Sequence, residues 1–106
     1  MASNTLSGDL ISERYGAALY DLASEKKCID DILNDFELVQ KALKESSELR
    51  QVIKSPLVNS DEKLNILLKL FSKANLHNLT TTFLKVLDNN KRISNISSII
   101  LQFKKI

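Results

Sequence analysis

His77 and Cys28 are the only histidine and the only cysteine in this chain of 106 residues. Nucleophilic, acid–base or metal chemistry needs several such groups converging on one point, and these two lie far apart in the sequence. His77 falls at the start of an expected helix, where a solvated or capping ring is the simpler reading. Cys28 falls at a helix junction and reads as a small packed residue. A lone cysteine supports neither a disulfide framework nor a zinc pattern. The acid pairs Asp30-Asp31 and Asp61-Glu62 are of a type that suits acid–base work. Both fall in the first turn of an expected helix, however, where the helix dipole already favours negative charge. The only glycines, Gly8 and Gly16, make no phosphate-cradling loop. These residues predict no enzyme, no cofactor and no metal, so the function must reside in a surface.

The whole chain narrows the kind of surface. Hydrophobic residues make up 43 % and charged residues 26 %, the balance of a globular domain with a core of its own. Two glycines and one proline are too few for the tight turns of a sheet protein, so the expected fold is all-α, a single helical bundle. The formal net charge is +2. Lysines and acids are interspersed, and no basic block exceeds Lys104-Lys105, whereas nucleic-acid binding uses a clustered basic face. No apolar run approaches the roughly 20 residues of a membrane span. Met1 to Thr5 lacks the charged and apolar regions of a signal peptide. The expectation is an intracellular chain with no nucleic-acid partner and no direct membrane insertion.

Six helical segments must position that surface. Residues 1–8 are small and polar and read as a flexible lead-in, with Ser7 or Asp9 capping the first helix; the bundle domain is 9–106. The first helix is expected from about Asp9 to Lys26, followed by the junction Lys26-Lys27-Cys28. The second, Ile29 to Glu45, has one apolar face of Ile29, Ile32, Leu33, Phe36, Val39 and Leu43. Ser46-Ser47 caps a short third helix, Glu48 to Lys54, which Ser55-Pro56 stops; Leu57-Val58 then crosses in extended form. Ser60 is the expected cap of a fourth helix, with the face Leu64, Leu67, Leu68 and Phe71, ending through Ser72 to Asn75. The fifth opens near His77-Asn78. Leu79, Phe83, Val86 and Leu87 share a side and Leu84 widens it. Thr80 to Thr82 are poor helix formers, so packing must override them. Asn89-Asn90 is expected at its end, in the left-handed conformation. Ser94 would cap a sixth helix with the face Ile96, Ile99, Ile100 and Phe103. That pattern runs into Ile106 without a cap, as expected of the N-terminal domain of a longer chain. Phe36, Leu68 and Ile100, each central in its face, are expected in the core.

The stretch Arg14 to Ala23 organises the rest. At roughly 100° per residue, Ile11, Tyr15, Ala18, Leu19 and Leu22 cover one side of the first helix, and Gly16, Tyr20 and Ala23 widen the arc. Glu13, Arg14, Asp21 and Ser24 fill only about a third of the circumference. An ordinary surface helix shows one apolar stripe. The wider arc fits either a central helix of the bundle or a helix whose open flank takes up a partner helix.

Four segments, in order and spacing, resemble the N-terminal domain of the delta subunit of rotary F-type ATP synthases, related to the mitochondrial oligomycin-sensitivity-conferring protein. They are Arg14-Tyr15-Gly16-Ala17-Ala18-Leu19-Tyr20; the short helix ending in Ser55-Pro56-Leu57-Val58; Asp61-Glu62-Lys63-Leu64; and Phe83 through Arg92. Two positions depart from the pattern: Gly16, where the family often has alanine, and Lys91, where it often has glycine. The resemblance spans about residues 9–106. It implies a six-helix bundle and a structural role in the stator, joining the catalytic head to the peripheral stalk during proton-driven ATP synthesis. It implies a place on the cytoplasmic face of the energy-transducing inner membrane, within the ATP synthase complex. It also implies a groove between the first and fifth helices that binds the N-terminal helical segment of an alpha subunit. By position the groove takes Tyr15, Ala18, Leu19 and Leu22 from the first helix and Thr82, Phe83, Val86 and Asn90 from the fifth. Contact with the b subunits of the stalk is implied for a C-terminal domain that this chain lacks. Two other readings remain at this point: a free-standing helical adaptor or regulator binding another amphipathic helix, and a nucleic-acid-binding bundle using Lys104, Lys105 and the lysines of the second helix.

Overall fold

Periodic apolar faces broken by short polar junctions produce six helices. The computed structural model describes the backbone of residues 3–106 and the side chains of residues 10–106, and among them there is no strand. The helices are α1 (Ser3–Glu25), α2 (Ile29–Glu45), α3 (Ser47–Lys54), α4 (Ser60–Leu70), α5 (Asn78–Asn89) and α6 (Ile96–Lys104), with a 3-10 turn at Ile93–Asn95 leading into α6. α1 begins at Ser3 rather than near Asp9. Between them Gly8 opposes a helix most strongly, at a cost of about 1 kcal/mol. Of the expected lead-in, Met1 and Ala2 lie outside the described residues.

Two of the expected caps form. The Ser46 hydroxyl accepts the Leu49 N–H at 3.1 Å, and the His77 Nδ1 accepts the Leu79 N–H at 3.0 Å. Elsewhere the local chemistry differs from expectation. Asn59, not Ser60, is the N-cap of α4; the Ser60 hydroxyl instead donates to the Asp88 carbonyl at 3.2 Å, tying the start of α4 to the end of α5. Ser94 falls inside the 3-10 turn, and Asn95 precedes α6. Leu57-Val58 does not cross in extended form. Pro56 sits in a turn in which the Ser55 hydroxyl accepts from Leu57 at 3.1 Å, and Leu57 is left 92 % exposed.

The helix ends carry a second correction. Asn90 has φ −94°, and the left-handed residue after α5 is Lys91, with φ 58°. The Arg92 N–H reaches back to the Leu87 carbonyl at 2.7 Å and the Lys91 N–H to that of Asp88 at 2.9 Å. This is the Schellman pattern, which needs a left-handed residue at the place Lys91 occupies. α1 ends the same way. Lys27 has φ 56°, and the Cys28 N–H bonds to the Ala23 carbonyl at 2.9 Å.

α1 lies along α6, α4 packs on α5, and α2 touches α1, α3, α5 and α6 from one side. Phe36 of α2 stands at the centre, its ring edge-on to Phe103 at 5.3 Å and tilted against Phe83 at 6.4 Å. Leu84, Leu87, Ile96, Ile99 and Ile100 are fully buried around them. Phe36 and Ile100 are core residues as expected, but Leu68 is only half-buried. The inward face of α4 is centred one residue earlier, on Leu67, with Leu64 and Phe71 beside it. One residue is a rotation of about 100°, enough to take Leu68 to the edge. The stripe that α1 buries is made of Ser12, Gly16, Leu19 and Ala23. A Cβ on Gly16 would come within 3.0 Å of the Phe103 backbone nitrogen, so the missing side chain lets α1 and α6 approach closely.

Candidate functional site

Turning its small residues toward α6 leaves α1 with a second apolar flank. Tyr15, Ala18 and Leu22 lie about 100° away from the Gly16–Ala23 side; Ala18 is exposed, Leu22 is 40 % exposed and Tyr15 is half-buried. α5 is divided in the same way. It buries Leu79, Thr80, Phe83, Leu84 and Leu87 and leaves Thr82, Val86 and Asn90 exposed, Val86 by 41 %.

Tyr15 joins the two flanks. Its ring meets Phe83 edge-on at a centroid distance of 6.3 Å, and its hydroxyl accepts a hydrogen bond from Asn90 Nδ2 at 3.0 Å. Phe83 and Asn90 are about two turns apart, so Tyr15 is tied both to the middle of α5 and to the residue just past its end. The main backbone neighbours of α1 are α6 and α2. Exposed residues of both helices lie around this Tyr15 junction, where the sequence places a trough between α1 and α5. Of the eight residues placed here by sequence, Leu19 and Phe83 are buried. Tyr15 is half-buried, and Ala18, Leu22, Thr82, Val86 and Asn90 are exposed. The exposed charges farther round are few and mixed in sign: Arg14, Asp21 and Glu25 on α1, Lys85 on α5.

The orientation of α5, and with it one wall of the trough, depends on a residue that sequence reasoning missed. Asp35, on α2 and buried, accepts the Thr80 hydroxyl at 2.6 Å and the His77 backbone N–H at 2.9 Å. A carboxylate at a helix N-terminus also meets the positive end of the helix dipole. This explains how the three-threonine run starts a helix: Thr80, fully buried, is bonded into the core. The signal was present, since Ile32, Asp35, Phe36 and Val39 follow the i, i+3, i+4, i+7 spacing, which puts an acid inside the apolar arc. His77 is taken up by this cap and by its own bond to Leu79. Cys28 is buried at the α1–α2 junction. Among the described residues no group of three or more histidine, cysteine or acidic side chains is placed to hold a metal ion, and no helix is long and apolar enough to cross a membrane.

Comparison with known proteins agrees with the order of motifs in the chain. The family model described as ATP synthase delta (OSCP) subunit matches residues 11–106. Curated relatives carry the name ATP synthase subunit delta. The one from Nitrobacter winogradskyi is 36 % identical over 94 residues, covering 89 % of this chain and 50 % of the relative. The one from Carboxydothermus hydrogenoformans is 37 % identical over 93 residues, covering 88 % and 51 %. The one from Bradyrhizobium diazoefficiens is 29 % identical over 104 residues, covering 98 % and 56 %. The chain spans about half the length of the curated relatives it matches.

Proposed function

The chain belongs to the ATP synthase delta (OSCP) subunit family, and on that premise we propose that it is a non-catalytic stator module which holds the N-terminal helix of an alpha subunit in the trough between α1 and α5. The observation that supports this reading is the exposure of the apolar side chains Ala18, Leu22 and Val86 on two helices that Tyr15 joins. A stator part must resist torque and needs no chemistry of its own. An alpha-subunit tail that orders on binding loses roughly 2–5 kcal/mol to ordering. Burial of apolar area, at about 25 cal/mol per Å², offsets that loss. The small side chain of Ala18 lets a partner backbone come close, and Tyr15, Leu22 and Val86 supply the walls.

In this reading the bundle joins the catalytic head to the peripheral stalk, and the b subunits are engaged by the family's C-terminal domain rather than by these helices. The complex works at the energy-transducing inner membrane, with this subunit peripheral on its cytoplasmic face. Co-purification tests the reading: the natural protein should bring down alpha and b subunits together, and a peptide of the alpha N-terminus should compete with the alpha subunit for α1–α5. Retention of b but not alpha, with no peptide binding to this chain, would overturn it.

A further inference from the structure

We propose that the Tyr15–Asn90 pair sets the register and selectivity of the trough, by requiring a hydrogen-bonding side chain at one position of the docked helix. The inference rests on the function proposed above and adds a requirement to it. Along the trough the accessible groups of Ala18, Leu22 and Val86 are apolar and accept any apolar side chain of suitable size. Tyr15 and Asn90 differ. The Tyr15 oxygen accepts from Asn90 Nδ2 at 3.0 Å, which leaves its O–H as a donor with no acceptor within the described residues. The Asn90 Oδ1 and its second N–H are likewise unused there. Asn90 is exposed and Tyr15 half-buried, so in the free domain water serves these groups.

A docked helix displaces that water. An apolar side chain laid over the pair would strand a hydroxyl donor and an amide acceptor away from solvent, and leaving such groups unsatisfied costs about tenfold or more in affinity. A serine, threonine, asparagine or glutamine at the same place satisfies them. One polar pair in an apolar seam thereby fixes alignment, as a single asparagine does in a coiled coil. It also rejects amphipathic helices that are apolar along their whole face. The bridge is well placed for this, because its two residues come from the two helices that line the trough. Thr82, the other polar residue of the flank, lies two turns away on α5.

The test is a coupling experiment. A synthetic peptide of the alpha-subunit N-terminus from the same source is varied by replacing each polar residue with leucine. Each peptide is titrated by calorimetry against the parent chain and against a variant carrying Tyr15→Phe and Asn90→Leu. Tyr15→Phe keeps the ring on Phe83, and thermal melts check the fold. The expected result is one peptide position whose replacement weakens binding to the parent about tenfold, and to the double variant by no more than about twofold. A Val86→Ala chain should retain the tenfold effect. If the parent binds but no position shows the coupling, the register proposal is wrong and the stator reading stands. If the parent binds no form of the peptide, both fall together.

Discussion

The carboxylate of Asp35 and the hydroxyl of Thr80, 45 positions apart in sequence, form a hydrogen bond of 2.6 Å between two buried side chains. Through it α2 holds the first turn of α5. The same carboxylate takes the His77 N–H, so a single substitution removes two bonds. Asp35→Ala leaves the buried Thr80 hydroxyl without its acceptor and the His77 N–H at the start of α5 without its partner. The expected loss is about 2–4 kcal/mol, read by urea unfolding. Asp35→Asn, which keeps an acceptor, should lose less. A cost below about half a kcal/mol for Asp35→Ala would show that α5 is positioned by apolar packing alone.

Gly16 marks where α1 and α6 come closest. Alanine there gains up to about 1 kcal/mol of helix propensity. Its Cβ, however, would lie 3.0 Å from the backbone nitrogen of Phe103 and 3.2 Å from Gln102 Cβ. Backbone cannot rotate away as a side chain tip can, and overpacking of this kind costs about 1–3 kcal/mol. Gly16→Ala is therefore expected to destabilise by roughly 1 kcal/mol and Gly16→Val by more, in parallel denaturant titrations. A more stable Gly16→Ala would mean that the two helices separate at little cost.

Lys27 and Lys91 hold left-handed conformations at the ends of α1 and α5, where a side chain carries strain of roughly 1–2 kcal/mol that glycine does not. Glycine's greater freedom in the unfolded chain takes back part of the gain. Lys91→Gly is predicted to stabilise by about 1 kcal/mol net, raising the melting temperature by several degrees in a domain of this size, on the order of 4–8 °C. Lys27→Gly should act similarly. A lower melting temperature for both would show that the lysine side chains contribute contacts that outweigh the strain.

The gross fold was legible because each helix carries its own signal. The apolar spacing of α2 set its bounds, Pro56 stopped α3, and Ser46 and His77 announced their caps. What was not legible required knowing which residues face each other. Leu67 and Leu68 are equivalent in a one-helix pattern, and only the packing of α4 on α5 decides between them. Ser60 looks like a cap until its hydroxyl is seen to reach Asp88. Asn90 looks like a left-handed residue because asparagine tolerates that state; the Schellman bonds place the strain one residue later, on Lys91. In the candidate site, the division of α1 into a small-residue side and a tyrosine–leucine flank was visible as a wide apolar arc. Which part of the arc α6 covers was not, since the close approach at Gly16 depends on the Phe103 backbone. Leu19 and Phe83, placed in the groove by position, are both buried.

The same division separates the effects of substitutions in the trough on folding and on binding. Val86 is 41 % exposed in the free domain, so Val86→Ala opens little cavity and should change folding stability by about half a kcal/mol or less. Tyr15 differs, because its ring rests on Phe83 and its hydroxyl bonds to Asn90. Tyr15→Ala gives up both contacts and is expected to cost about 1–2 kcal/mol of folding stability. Both residues face the helix proposed to dock between α1 and α5, and truncation at the centre of an interface commonly costs 2 kcal/mol or more for an aromatic anchor. Peptide titration beside thermal melts should therefore show Val86→Ala binding an alpha-subunit N-terminal peptide more weakly while melting like the parent. Tyr15→Ala should lose on both counts, and more in binding than in folding. Raising the salt concentration should change either affinity little, because the charges around the trough are few, mixed and exposed to screening. Parent-like affinity in both variants would place the docking surface elsewhere on the bundle. A large drop in the melting temperature of Val86→Ala would make that residue part of the core.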